Sequence, residues 1–380
     1  MRKLFTLMAL AISLTALGQQ NMKRVSTPPA SPDIQDDGTV TFRYYNPKAV
    51  SVVVEGGCIN GGRAQMEEVA PGAFEYVTPA PVSPQMYYYN YVVDGRRVID
   101  DLNPWVIRDV NYLFSVLLVK GGLSDDFVVK DVPHGTVSKV WYHSDKAGFD
   151  RRMTVYTPAG YETSKKKYPV VYILHGMGGD EEAWVTQGRA CQILDNLIAD
   201  GRCKPAIAVF TNGNISVDAA PGESARGYDK PNYNLPQTME GSFEESFPEV
   251  VKFIDGRYRT IAKQSSRAIC GLSMGGYHTL YISANNPKMF GYVGLFSAAI
   301  TPRSDSPVYQ DIDAKLVAQF AAKPYYFIGI GKDDFLYQDN VSHRQRLDTA
   351  GHPYEYMETS GDHNWINWKI YLHHFLQKLF

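Results

Sequence analysis

The pentapeptide Gly271-Leu272-Ser273-Met274-Gly275, followed by Gly276, sets a serine between glycines at a junction of two patterns. The apolar run Arg267-Ala268-Ile269-Cys270 leads into it, and a stretch of helical character, residues 277–286, leaves it. A strand, a tight turn and a helix in that order present a nucleophilic serine: the strained turn exposes its hydroxyl. Glycines flank it because a Cβ there would collide with the neighbouring strand and helix. The helix N-terminus adds positive potential where an oxyanion would develop.

A second turn complements the first. Residues 170–174 (VVYIL) form an apolar strand that runs into His175-Gly176-Met177-Gly178-Gly179. A glycine-rich turn at a strand end aims backbone N–H groups into a site, so the N–H of Met177 and that of Met274 are the expected oxyanion donors. His175 itself reads as a residue that stabilises this turn. An acid and a base should follow the serine in chain order. Gly331-Lys332-Asp333-Asp334 ends the strand-like run 325–330, where a sheet of this kind places its active site. Of the two carboxylates Asp334 is favoured as the partner of the base, with Asp333 exposed or capping the next helix. His363, in the loop Thr359-Ser360-Gly361-Asp362-His363-Asn364-Trp365 before the last helical stretch, is the expected general base. The other histidines compete poorly: His278 falls within the helix after the serine, His343, His373 and His374 within later helices, and His134 and His143 before the first strand expected in the catalytic sheet. No His/Cys/Asp/Glu cluster has the spacing of a metal site, and no phosphate-cradling glycine motif follows a strand, so neither metal nor cofactor is expected.

The elements that must position these groups fall into two regions. Over 380 residues, at about 150 per domain, two domains are the natural expectation. A net charge of −2, with 21% charged and 44% apolar residues, fits a globular chain with a proper core and gives no basic field for nucleic acid. Residues 1–18 combine a basic start (Met1-Arg2-Lys3), an apolar run (4–17) and small residues at Ala16 and Gly18, the layout of a cleaved signal peptide. The expectation is export to the periplasm or beyond, with no membrane contact after cleavage. Between residues 26 and 121, short apolar runs (39–44, 49–55, 74–77, 86–93, 97–99 and 112–119) alternate with Gly, Pro and Asp turns, which predicts an antiparallel β-sandwich. Residues 121–132 read as the linker. From 131 to 380 strand-like and helical runs alternate, which predicts a mostly parallel sheet covered on both faces. Four cysteines (Cys58, Cys191, Cys203, Cys270) do not staple this fold, although Cys191 and Cys203 are close enough in sequence to pair.

Taken together, the strings 131–135 (DVPHG), 142–144 (YHS), 151–158 (RRMTVYTP), LHGMGGDEEAW, GLSMGGY and GDHNWINW resemble carbohydrate esterase family one, which holds feruloyl and acetylxylan esterases and is similar to the esterase D group. The likeness covers about 250 residues. It implies an α/β-hydrolase fold, Ser273 as nucleophile, Asp334 as acid and His363 as base. The first region resembles the early-set, Ig-like domains found ahead of such esterases, through residues 87–94 and 100–104. Trp184, Asn212, Asn214, Tyr277, Phe335 and Trp365 adjoin the motifs and are candidates to line the acyl pocket, packing being the competing role of each. Residues 215–241 are a long aperiodic loop of the kind that serves as a lid or substrate contact.

The expected activity is removal of feruloyl groups from plant xylan or xylo-oligosaccharides, the cell-wall ester being the partner. Acetylxylan deacetylation is the nearest alternative, since only the size of the acyl slot separates the two. A serine peptidase would use the same triad, and a glycan-binding protein with a degenerate esterase region would bind without cleaving. Subunit number is open.

Overall fold

The computed structural model describes residues 29–380 apart from 228, 229 and 234, so the expected signal peptide lies outside the described residues. The first region contains β1 (Asp33–Ile34), β2 (Val40–Tyr45), β3 (Val52–Gly56), β4 (Arg63–Gln65), β5 (Glu67–Ala70), β6 (Ala73–Val77), β7 (Gln85–Val93), β8 (Arg96–Val98), β9 (Val106–Asp109) and β10 (Tyr112–Val119). They form two antiparallel sheets, β1-β2-β6-β5 and β4-β3-β7-β10-β9, with β8 paired to β7. Alternate side chains close the sandwich: Val40 and Phe42 meet Val52, Val54, Tyr89, Tyr91, Leu117 and Val119 in one core.

The central strands β7 and β10 are apolar at nearly every position because both of their faces are covered. Tyr89, Tyr91, Leu117 and Val119 point into the sandwich, whereas Met86, Tyr88, Phe114, Val116 and Leu118 point out of it and pack against the second region. The two regions therefore share a hydrophobic cluster. The segment expected as a linker is pinned within it: Phe127 is fully buried, and the Asp126 carboxylate holds Lys130, Arg202 and His373.

The second region runs β11 (Thr136–Ser144), β12 (Phe149–Thr157), β13 (Val170–Leu174), α1 (Ala183–Thr186), α2 (Ala190–Ala199), β14 (Ile207–Thr211), α3 (Ser242–Arg257), β15 (Arg267–Leu272), α4 (Met274–Asn285), β16 (Tyr292–Phe296), α5 (Ile312–Ala321), β17 (Tyr325–Gly331), α6 (Tyr337–Thr349), β18 (Glu355–Thr359) and α7 (Trp365–Leu376). Its eight-stranded sheet has the order β11-β12-β14-β13-β15-β16-β17-β18, parallel from β14 onward. In β13, Val170, Tyr172 and Leu174 face the α3/α4 side while Val171 and Ile173 face the α2/α7 side, which is why the strand reads as continuously apolar. This is an α/β-hydrolase fold preceded by an antiparallel sandwich. His143 lies in β11, the first strand of the sheet rather than ahead of it. That edge strand is mostly solvent-facing and polar, so its sequence carries a weak strand signal. Cys191 and Cys203 do not pair; all four cysteines are free. Among the described residues no helix is long and apolar enough to cross a membrane, and no group of three or more His, Cys, Asp or Glu could hold a metal ion.

Candidate active site

The C-terminal ends of β13, β15 and β17 and the loop after β18 converge on one cavity of about 350 Å³. Ser273 follows β15 at φ +53, ψ −114, a conformation that a non-glycine residue adopts only under strain. Its surroundings enforce this: its N–H donates to the Phe296 carbonyl (2.9 Å), and its own carbonyl accepts from Tyr277 (3.0 Å) and Ala299 (3.1 Å). A Cβ on Gly275 would lie 2.4 Å from the Leu174 carbonyl oxygen, so only glycine lets α4 start this close to β13. Met274 begins α4, leaving its backbone N–H among the unpaired donors of a helix start.

Across from the serine, the loop 175–179 is held from behind. His175 donates from Nδ1 to the Gly176 carbonyl (2.7 Å) and accepts at Nε2 from the Gly213 N–H (2.8 Å). Burial pushes its pKa down to about 4, so the ring stays neutral and works as a brace. A Cβ on Gly176 would sit 3.3 Å from that of Ser273, which places this loop against the serine side chain. Met177 lines the cavity.

His363 enters from the loop ahead of α7, which Asn364 caps by accepting from the N–H groups of Ile366 (2.9 Å) and Asn367 (3.2 Å). Its Nδ1 donates to both Asp334 carboxylate oxygens, at 2.9 and 3.0 Å. The Asp334 side chain is fully buried. Burial raises its pKa, but the His363 hydrogen bond and charge and the Leu336 N–H outweigh that and bring it below the ordinary carboxylate value. Asp333 is exposed, so of the two carboxylates it is Asp334 that meets the histidine. The Phe335 ring (4.5 Å) and the edge of Trp368 (4.9 Å) flank the imidazole. Ser273 and His363 line the same cavity.

Phe335 and Trp365 line this cavity as well. Four other candidates, Trp184, Tyr277, Asn214 and Asn212, do not. Trp184 is buried one layer behind, its indole N–H donating to the Leu174 carbonyl (2.9 Å) and its ring edge-on to Trp365. Tyr277, one turn after the serine, faces the core of α4 among Tyr281 and Tyr309. Asn214 is buried and donates to the Gly179 carbonyl (2.9 Å), bracing the loop beside a separate small polar recess that Asn212 also lines. Lining residues absent from the sequence-based set are Asp109, Val110, Ala183, Gln187, Leu272, Tyr233 and Trp368. Tyr233 comes from the long loop, whose first half is tied down by buried Arg151, donating to the Asn212 (2.7 Å), Asn214 (2.9 Å) and Val217 (3.3 Å) carbonyls, and by Arg152, which pairs with Glu181, Glu182 and Glu223.

Asp109 and Val110 belong to the sandwich. The turn Val110–Asn111 between β9 and β10 reaches over the cavity, with Val110 at φ +53, a costly conformation for a β-branched residue. Arg108 pairs with Asp180, the Gln187 amide donates to the Arg108 carbonyl (2.7 Å), and the Tyr88 hydroxyl donates to the Gln187 carbonyl (3.1 Å). The sandwich is thus docked onto the site.

The Esterase family matches residues 144–379. An endo-1,4-beta-xylanase/feruloyl esterase of Xylanibacter ruminicola is 31% identical over 92% of this chain, which spans 46% of that protein's length. A ferulic acid esterase of Anaeromyces mucronatus, solved in complex with ferulic acid, is 26% identical with a TM-score of 0.56, over 67% of this chain and 93% of that one. The enterobactin esterase of Shigella flexneri shares the fold across 89% of this chain and 92% of its own, with a TM-score of 0.63 at 16% identity. With the family match running from the end of β11 to the end of the sheet region and through the last helix, the chain belongs to the Esterase family.

Proposed function

We propose that this chain is an exported serine carboxylic ester hydrolase that releases hydroxycinnamoyl groups, feruloyl foremost, from plant xylan or xylo-oligosaccharides. The observation that carries the reading is that a strained serine and a carboxylate-bound histidine border one cavity walled by Trp365, Trp368, Leu272 and Phe335. In this reading Ser273 Oγ attacks the ester carbonyl while His363 Nε2 takes its proton, Nδ1 being engaged by Asp334. The N–H groups of Met274 and Met177 hold the oxyanion, His363 returns the proton to the departing sugar oxygen, and water then clears the acyl-enzyme by the same route. The relatives described as feruloyl and ferulic acid esterases support the acyl group, and a slot with two indoles offers more apolar wall than acetate needs.

Ser273→Ala should abolish hydrolysis of methyl ferulate and of p-nitrophenyl acetate, and retained turnover would end the serine mechanism. Product analysis on feruloylated, acetylated arabinoxylan should show ferulate as the main acid released. Release of acetate alone would reassign the chain as an acetylxylan esterase.

A further inference from the structure

The sandwich contributes more than a wall to the cavity. Ser273 and His363 are committed to the chemistry, and most of the remaining lining is apolar. Beside the Tyr233 hydroxyl and the indole N–H of Trp368, the polar exceptions cluster where the β9–β10 turn meets α1: the Asp109 carboxyl and the Gln187 amide. Among the described residues no ion pair neutralises Asp109. The neighbouring Arg108 guanidinium is spent on Asp180 and on the Val110 carbonyl (2.8 Å). Gln187 is nine-tenths buried, its Nε2 is held by the Arg108 carbonyl, and its Oε1 has no hydrogen-bond partner among the described residues. Burial raises the Asp109 pKa, with Gln187 and Arg108 opposing it. A carboxylate half-removed from water without a counter-ion is costly to leave unpaired. It gains most from a donor carried in by a ligand, because O–H···O⁻ bonds are short and strong.

We propose that Asp109, delivered by the sandwich hairpin and steadied by Gln187, accepts a hydrogen bond from the phenolic hydroxyl of the bound acyl group, and so selects hydroxylated cinnamoyl esters over unsubstituted ones. The inference rests on the reading of the cavity as a hydroxycinnamoyl site. It gives the sandwich a role in choosing the acyl group. A sugar hydroxyl of the leaving group is the other possible source of the donor, and the test separates the two.

The experiment compares kcat/KM for methyl p-coumarate and methyl cinnamate, which differ only by that hydroxyl, in the wild type, Asp109→Ala and Asp109→Asn. The wild type should favour p-coumarate by about tenfold or more. The ratio should fall to near one in Asp109→Ala and stand between in Asp109→Asn, whose amide oxygen still accepts but carries no charge. The isosteric Asp109→Asn variant keeps the test decisive should Asp109→Ala fail to fold. A p-coumarate preference unchanged in both variants overturns the proposal. So does a loss that appears only when methyl ferulate is replaced by feruloyl-arabinose, which would assign the donor to the sugar. If the wild type cleaves both cinnamoyl esters without discriminating, the inference falls and the functional reading stands. If it cleaves neither while releasing acetate, both fall.

Discussion

Val110 of the sandwich packs directly onto Gly178 of the glycine-rich loop: a Cβ placed on Gly178 would lie 2.6 Å from Val110 Cγ2. Gly178 also stands at φ +76, so the loop that carries Met177 is shaped by its own backbone and by a residue from the other region. Gly178→Ala should therefore do two things. Strain at positive φ should cost more than about 1 kcal/mol of stability, and displacement of the turn by a fraction of an ångström should lower kcat/KM for aryl esters by roughly tenfold or more. Adding Val110→Ala takes away the two methyls at 2.6 and 2.9 Å, leaving only its Cβ at 3.2 Å, and leaves the φ strain. The double variant should regain part of the activity and little of the stability. Chemical denaturation and steady-state kinetics on both variants check this, and additive effects would show that the two residues do not communicate.

The bond between Asp334 and His363 makes a pH-dependent prediction. The folded state holds the Asp334 carboxyl below its ordinary value, so the unfolded chain binds the proton more readily. Stability from this group is present above the unfolded value of about 3.9 and is lost as pH falls through the folded one. Asp334→Asn should be less stable than the wild type near pH 6, with the gap closing in strong acid. Its kcat should drop by about 10³–10⁴, because the imidazole loses the anion that fixes its tautomer. Urea unfolding at several pH values tests the first part. A gap that widens in acid would contradict the linkage.

Phe335 is 76% exposed yet lies 4.5 Å from the His363 ring, at the rim of the cavity. An exposed side chain contributes little to folding, so Phe335→Ala should change stability by no more than about 0.5 kcal/mol. As a face for an aryl acyl group it should matter more: KM for methyl ferulate should rise several-fold, and KM for p-nitrophenyl acetate less. Equal rises for both esters would make Phe335 a general cover of the histidine rather than an aryl contact.

What could be read from the sequence follows from how local each signal is. Ser273, His175 and Gly176 sit in turns whose glycines, flanking strand and following helix are all within a few residues, so the pattern carries the geometry. Asp334 and His363 were legible because each follows a recognisable strand in the expected order. Proximity to a motif, by contrast, does not say which way a side chain points. Tyr277 is four residues past the serine and on the inner face of α4, and Trp184 lies behind Trp365. Asp109 and Val110 gave no local sign at all, since they reach the site only through the docking of two regions. The one trace of that docking was the nearly continuous apolar character of residues 86–93 and 112–119, broken only at Asn90 and Ser115, where a one-sided sandwich strand would alternate.

Lys369 sits at that same interface, fully buried on α7, with its ammonium nitrogen 5.8 Å from the Tyr88 ring centroid and 5.3 Å from that of Phe127 and no hydrogen-bond partner among the described residues. Burial, with the Arg189 charge adding to it, pushes its pKa down to about 7. The unfolded chain keeps the ordinary lysine value of about 10.4. Between these two values the unfolded state binds more protons, so this group makes the wild type more stable as pH rises from 7 toward 10. The penalty is full below about pH 7 and absent once both states are neutral. Lys369→Met fills the same space without a charge to desolvate. It should be more stable than the wild type at pH 7 by roughly 2–4 kcal/mol, the two ring faces having offset part of the lysine's cost. The advantage should shrink steadily by pH 10. Urea melts of both proteins at pH 7, 8, 9 and 10 measure it, and a constant difference across that range would mean that the amine stays protonated in the folded protein.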